Sequence, residues 1–329
     1  MTLTAEQHAI RRTALGASEI AAVLGDEESF QSAWDVWASK MPDDHPAYQF
    51  WQKRATNKAM HRGNWLESAL AQRWASDHGL QLDHVPMATL RHPQFPWLVA
   101  TPDAAAYLPT AGKRIGEMKT TRKPIDEAVC PERFEAQARG QLAVVFPLMD
   151  ISRCDVVAWY MSADLPYYYP IERDQKAEKD LLAILEHWWR KHVVEGVEPD
   201  PSGSSMYDSF LNSQPSSGKR LSVDRQHPVH KLACDLFEVK REIKSLEERE
   251  ADLSIRLKQS ILDYDCVEGE FGKLWFSFRK GRTKTQWENA MRLLATKYKI
   301  PENEFNHIVA SYTETGESFR ALVPKWNTL

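Results

Sequence analysis

The sequence predicts an α/β core, in which helices flank a mixed central sheet, followed by a helical extension. Three observations predict it. Helix-like and short strand-like segments interleave through roughly the first 200 residues. Residues 196–220 then turn rich in Ser, Pro and Gly, as in EGVEPDPSGSS and NSQPSSGKR, which reads as linker or surface loop. Beyond them Leu232, Leu236, Val239, Ile243, Leu246, Leu253, Leu257 and Ile261 recur at spacings of four and three, with Glu250 interrupting the series. That is a seam of roughly four heptads on one long helix. The boundary is placed between a core of residues 1–198 and an extension of 199–329. The extension holds the heptad helix (about 229–263) and a basic hairpin and helix segment (about 269–299).

The elements follow in order. Ser18 is a good N-cap for a helix through EIAAVL, and Gly25 is a good stop. A second helix starts near Ser32 and carries Trp34 and Trp37, and a third runs from about Asn57 to Asp77. Strands are expected over Val85–Arg91, Trp97–Thr101 and Arg114–Thr120. Pro131 opens a helix expected to end before Pro147. A strand over Asp155–Met161 pairs with Tyr167–Ile171, and a helix from Asp174 to Val194 closes the block.

Composition narrows the classes. The 329 residues carry 42 Lys+Arg against 46 Asp+Glu, a formal net charge of -4, so any nucleic-acid surface must be a local basic channel. No run of about 18 apolar residues predicts a membrane span. The first residues, MTLTAEQHAIRRTALG, lack the sections of a secretory signal. Cysteines at 130, 154, 234 and 266 form no CxxC pair, which argues against a zinc cluster or a disulfide framework and for a reduced, cytoplasmic protein.

Three segments hold carboxylates that a fold does not need. In HRGNWLESALAQRW, Met60, Gly63, Glu67, Leu70 and Trp74 share a helical face, so Glu67 points toward the core side. The plainer reading is a buried glutamate satisfied by an arginine. In WLVATPDAAAY, Asp103 sits where a hydrophobic strand ends, or is simply a turn aspartate after proline. In KRIGEMKTTRK, strand alternation puts Glu117 and Lys119 side by side on one face, which a salt-bridged exposed strand also explains. Together they form a metal-nuclease arrangement: a carboxylate at a strand end, then Glu-x-Lys on the next strand. Phosphodiester hydrolysis uses hard cations, which take carboxylate oxygens. A neighbouring lysine orients water and offsets charge on the phosphate.

The ordered set RRTALGASEIAAVLG, HRGNWLE, TPDAAAY, GEMKT and FEAQARGQLAV resembles the YqaJ-type viral recombinases. These are relatives of phage lambda exonuclease, the alkaline exonucleases, in the PD-(D/E)xK nuclease superfamily. The resemblance covers about residues 10–200 and implies a restriction-endonuclease-like core. It implies Asp103 and Glu117 as metal ligands, Lys119 as the catalytic lysine, Glu67 as an additional acidic ligand and the Met118 carbonyl as part of a metal shell. The metal implied is Mg²⁺, as two ions, with Mn²⁺ able to substitute. Arg11 and Ser18, seven residues apart, have the family's spacing for a 5'-phosphate pocket, with Arg12 competing for the role. Thr101 replaces a frequent serine and keeps a hydroxyl. Phe134, Gln137, Gln141 and Val145 share a helical face. Gln137 matches the family's glutamine, Arg139 stands where the lambda enzyme has a second one, and Gln141 is either a site residue or a buried amide.

The activity implied is resection of linear double-stranded DNA from its 5' ends, leaving 3' single-stranded overhangs. A trimeric ring around DNA, a phage-type single-strand annealing protein as partner, and a phage or prophage setting in the bacterial cytoplasm are implied as well. Competing readings are a RecB-type or CRISPR-associated nuclease of different polarity, a noncatalytic DNA-end-binding protein, and a coiled-coil interaction protein. Between Phe271 and Lys299 eight Lys or Arg residues are interleaved with Trp275, Phe276, Phe278 and Trp287, which suits either a DNA track or a hairpin with core aromatics.

Overall fold

The computed structural model describes residues 4–53, 58–84, 87–110, 112–201, 203–277 and 286–313. The chain divides into two units, Met1–Gln214 and Pro215–Leu329. The first opens with α1 (Ala5–Arg12), whose N-cap Thr4 forms a capping box with Gln7, then β1 (Leu15–Gly16) and a 3-10 turn, Ala17–Glu19. Next come α2 (Ile20–Val23), α3 (Ala33–Lys40), α4 (Pro46–Gln52) and α5 (Lys58–His78). The strands β2 (Gln81–His84), β3 (Leu90–Arg91), β4 (Leu98–Ala100), β5 (Ala104–Leu108) and β6 (Gly112–Thr121) precede α6 (Glu132–Met149). Strands β7 (Arg153–Tyr160) and β8 (Tyr167–Glu172) lead to α7 (Gln175–Trp188), a π-helical turn Trp189–Val194, and α8 (Ser205–Ser213).

The main sheet has the order β2-β5-β6-β7-β8. Only β6 and β7 pair in parallel, so the sheet is mixed, as expected. A smaller sheet, β1-β4-β3, lies earlier in the chain. Strand alternation sorts the core. On one face Ala104, Ala106, Met118 and Val157 pack with Leu70, Ala71 and Trp74 of α5. On the other, Ala105, Ile115, Cys154 and Val156 pack with Phe134, Ala138, Leu142 and Val145 of α6. Trp74 reaches over Gly116 and donates its indole N–H to Asp155 (3.0 Å), which also accepts from Arg114 (3.3 Å) and Arg153 (2.7 Å). This buried cluster closes one end of the β6–β7 pair.

Several expectations change. Ser18 does not cap a helix but lies inside the 3-10 turn, whose N-cap is Gly16, while Glu19 precedes α2. The strand expected over Val85–Arg91 is only Leu90–Arg91; residues 85 and 86 lie outside the described residues. The stretch Ala104–Leu108, poor in β-branched residues, is a strand because β6 pairs with it along its whole length. The helix after Pro131 runs through Pro147 to Met149, where Asp150 (φ 54°) closes it by donating its N–H to Phe146 (2.9 Å). The unit boundary falls at Gln214 rather than 198, because residues 199–214 pack on the first unit. Trp34 donates to Glu198 (2.6 Å), and Tyr207 and Phe210 of α8 lie 5.0 and 5.4 Å from its ring.

The second unit holds α9 (Pro228–Ser260), a hairpin of β9 (Cys266–Gly269) and β10 (Gly272–Trp275), α10 (Trp287–Lys297) and α11 (Glu302–Ser311). The hairpin thus starts before the expected Gly269. Trp275 and Trp287 are exposed, while Phe278 and the basic residues of 278–285 lie outside the described residues.

Two glycines test this packing. A Cβ on Gly116 meets Met118 Cε at 2.7 Å and the Trp74 ring at 2.9 Å. Gly116→Ala is therefore expected to lower stability by about 1–3 kcal/mol. Gly63, on α5 with open space around it, should behave oppositely, Ala there stabilising by roughly 0.5–1 kcal/mol. Urea unfolding of the two variants checks both signs.

Candidate active site

The site is assembled where the chain passes from β4 of the small sheet to β5 of the main one. The antiparallel register pairs Ala104 with Gly116. One step further, it sets Asp103 opposite Glu117, so both side chains leave the sheet on the α6 face. The Met118 N–H donates to Asp103 Oδ2 (2.7 Å) and locks that approach. In a strand the carbonyl of a residue points to the same edge as its N–H, so the Met118 carbonyl faces Asp103 too.

Glu117 is buried and fully engaged. Its Oε1 accepts from Gln137 Nε2 (2.6 Å) and its Oε2 from Gln141 Nε2 (2.5 Å), both on α6. Lys119 Nζ lies 2.6 Å from Glu117 Oε1, and 6.0 Å from the centre of the Phe134 ring. Burial, then the charge of Glu117, push the Asp103 carboxyl up to about 7, against the pull of Lys119 and the Met118 N–H. Burial alone lowers Lys119, but Glu117 and Asp103 outweigh it and hold the ammonium above the ordinary lysine value.

These groups suit a hard divalent cation. Two carboxylates meet there, Glu117 buried and Asp103 part-buried, and burial, then the charge of Glu117, raise the Asp103 carboxyl, which added positive charge would relieve. A cation ligated by carboxylate and carbonyl oxygens supplies it. Among the described residues no group of three or more His, Cys, Asp or Glu side chains is gathered as a cation cage. The structure brings together Asp103, Glu117, Met118 and Lys119. Glu67 lies half-buried on α5, two turns before Trp74 on the same stripe.

A second constellation stands beside the first. Arg11 donates to the Ser18 hydroxyl and lies against Gly16, where a Cβ would meet its guanidinium at 3.0 Å. Its charge reaches Lys119, so the two constellations share one field. Arg12 is spent elsewhere: it donates to the Ser39 carbonyl (3.0 Å) and the Met41 carbonyl and lies over the Tyr48 ring at 3.7 Å. That separates two arginines the sequence could not tell apart. Buried beneath them, Lys40 bonds Glu19 (2.8 Å) and the Arg11 carbonyl (2.8 Å), while Glu19 accepts the Gly16 N–H (2.7 Å). Burial holds Lys40 below the ordinary lysine value, with Glu19 opposing and Arg11 and Arg12 reinforcing. Sequence reasoning missed this pair, whose members lie 21 residues apart with no motif joining them.

The remaining residues divide by what they touch. Gln137 and Gln141 are buried on Glu117, and Gln141 also accepts from Cys154 Sγ (3.6 Å), so in this structure both amides hold Glu117 rather than face an open DNA surface. Arg139 is on a different face of α6, pairs with Glu135 (2.6 Å) and lines a cleft with Leu24, Ala177 and Ile184. Thr101 shares a hydrogen bond with Thr89 (2.8 Å) just before Pro102–Asp103.

Residues 6–145 match the family model of the YqaJ-like viral recombinase domain. That stretch runs from α1 to the last turns of α6 and so contains Arg11, Ser18, Asp103, Glu117 and Lys119. A comparison with curated proteins finds no match. Among solved structures the chain is similar to an alkaline exonuclease from Laribacter hongkongensis, at 19% identity over 58% of this chain and 94% of that one, with a TM-score of 0.44. The same enzyme in complex with dAMP gives the same identity and coverage and a TM-score of 0.45. A phage-related exonuclease from Haemophilus somnus is 15% identical over 56% of this chain and 96% of that one, with a TM-score of 0.36.

The Asp103 environment has a measurable consequence in the metal-free chain. Its folded pKa of about 7 exceeds its ordinary 3.8, so between those values the folded state binds the extra proton. Stability from this group is therefore lost as pH rises through that window. In urea unfolding, the parent chain should lose stability relative to Asp103→Asn between pH 4 and pH 7. A pH-independent difference contradicts the assignment.

Proposed function

We propose that the chain is a Mg²⁺-dependent exonuclease that digests linear double-stranded DNA from its 5' ends and leaves 3' single-stranded overhangs for strand-annealing recombination. The observation that carries the reading is the Asp103–Glu117–Lys119 constellation within a stretch matching the YqaJ-like viral recombinase domain. The alkaline exonuclease and phage-related exonuclease among the similar structures accord with it.

Asp103, Glu117 and the Met118 carbonyl would hold the cation, with Glu67 as the further acid. Two ions are proposed, and Mn²⁺ is expected to substitute. When bound, the metal neutralises charge building on the phosphate and makes water a stronger nucleophile. The chain's own residues do the rest. Gln137 and Gln141 fix both oxygens of Glu117, so the carboxylate is preorganised. Lys119, held charged by its acidic neighbours, orients the attacking water and offsets charge on the scissile phosphate. Arg11 and Ser18 take the 5'-terminal phosphate through a guanidinium fork and a hydroxyl, which sets polarity. Thr101 and Arg139 are kept as DNA contacts from the resemblance, Arg139 acting from the outer side of α6. Hydrolysis is direct, with no covalent enzyme intermediate. The trimeric ring around DNA, the phage-type single-strand annealing partner and the bacterial cytoplasm belong to the same proposal, supported by the family match.

Glu117→Ala and Lys119→Ala are each expected to abolish digestion, by about 10³-fold or more, while DNA-end binding stays near the parent level. Parallel digestion and filter-binding assays test this, and persistent Mg²⁺-dependent digestion in both variants sinks the assignment. Arg11→Ala should erase the preference for 5'-phosphorylated over dephosphorylated duplex. A parent chain that digests both at equal rates rejects the pocket.

A further inference from the structure

The heptad seam on α9 is not used by the nuclease reading, and it is solvent-exposed. Leu232, Val239, Ile243, Leu246, Leu253 and Leu257 are 41–67% exposed. A 33-residue helix with such a stripe needs a partner to bury it. We propose that α9 pairs with α9 of a second copy of the chain, antiparallel, about a two-fold axis near Lys244 and Ser245.

The charges flanking the seam select this arrangement. Val229, Leu236, Ile243, Glu250 and Leu257 occupy one seam position; Leu232, Val239, Leu246 and Leu253 occupy the other. In the antiparallel register Ile243 faces Leu246, Leu236 faces Leu253 and Leu232 faces Leu257 of the second copy. The layers of Leu232, Leu236, Ile243, Leu246, Leu253 and Leu257 are filled, and Val229 faces Ser260 at the end of the helix. The interrupting Glu250 faces Val239 beside Lys240, so its carboxylate bends toward a cation at the rim. The flanking residues then meet as Glu242 with Arg249, Asp235 with Arg256 and Lys240 with Glu247, each occurring twice by symmetry. All six contacts join opposite charges. All six residues are exposed along the helix. Arg256 also meets Asp252 of its own helix (3.0 Å), so the central Glu242–Arg249 pairs carry the selection.

A parallel pair, or a parallel trimer, keeps only the Asp235–Lys240 attraction at the flank. It stacks Glu250 on Glu250 in the seam and sets Glu242 against Glu247 at the flank. Like charges there are unfavourable, and a buried pair of glutamates more so. The sequence thus favours one orientation and disfavours the other. The seam uses none of Asp103, Glu117 and Lys119, and the proposal stands whether or not the chain is a nuclease; where a three-fold ring forms, a two-fold pair joins copies from different rings.

Sedimentation velocity on the full chain across a concentration series tests it. Glu242→Arg turns two attractive contacts into two Arg–Arg contacts, so it should weaken self-association on the order of tenfold. Arg249→Glu should do the same, and the exchange E242R/R249E should restore parent behaviour. A parallel arrangement predicts that Glu242→Arg tightens association instead. As a second readout, E242C/R249C should give a disulfide-linked dimer on oxidation, beyond any seen for the parent with its four native cysteines. Those positions lie about 10.5 Å apart on one helix, so they bridge only between copies. The proposal is overturned if Glu242→Arg tightens or leaves unchanged the association, if the exchange fails to restore it, or if the double cysteine variant stays unlinked.

Discussion

A buried carboxylate on a central strand is the constraint around which the first unit is arranged. Glu117 is 2% exposed, and an isolated charge there would cost several kcal/mol. Three donors remove that cost: the Gln137 and Gln141 amides and the Lys119 ammonium. The two glutamines are four residues apart, one turn of α6, so the helix must lie parallel enough to β6 to present both. The apolar residues of the same face, Phe134, Ala138, Leu142 and Val145, fix that crossing. Asp103 is then delivered by strand register. Nothing in the constellation depends on a long loop, and its geometry is inherited from a sheet and a helix.

The N-terminal segment is tied to this centre by close packing and by a second buried ion pair. Gly140 lets α6 approach the turn at Ala17–Ile20, since a Cβ there would sit 2.1 Å from Ile20 Cδ1. The Lys40–Glu19 pair then holds the Gly16 N–H and the Arg11 carbonyl, leaving the Arg11 guanidinium free to reach Ser18. A buried pair of this kind is weak evidence for stability. Its consequence here is positional: it fixes the backbone that carries Arg11.

Glu117 and Lys119 were legible because strand alternation alone places them side by side, and Asp103 because it follows a strand end. The Arg11–Ser18 contact was legible as a spacing, although the helix carrying Arg11 was not anticipated. Gln137 and Gln141 were legible as one face of a helix, but their role was not. Periodicity says which residues share a face and never what that face meets, so it could not show that both amides hold the Glu117 carboxylate. Arg139 shows the converse, since correspondence with a relative says nothing about which side of α6 it occupies. The α8 segment was missed because a Ser- and Pro-rich approach resembles a linker. Only the Trp34 pocket, far away in sequence, makes it part of the first unit.

The formal charge of -4 is compatible with a DNA-directed site, because the acids at its centre and the arginine and lysine around it act over ångströms. The most direct measurement follows linear duplex labelled separately at its 5' or 3' ends, incubated with the chain in Mg²⁺ or in chelator. The account predicts early release of the 5' label as mononucleotide, retention of the 3' label until late, and no release in chelator. Early release of the 3' label, or digestion that survives chelation, contradicts it.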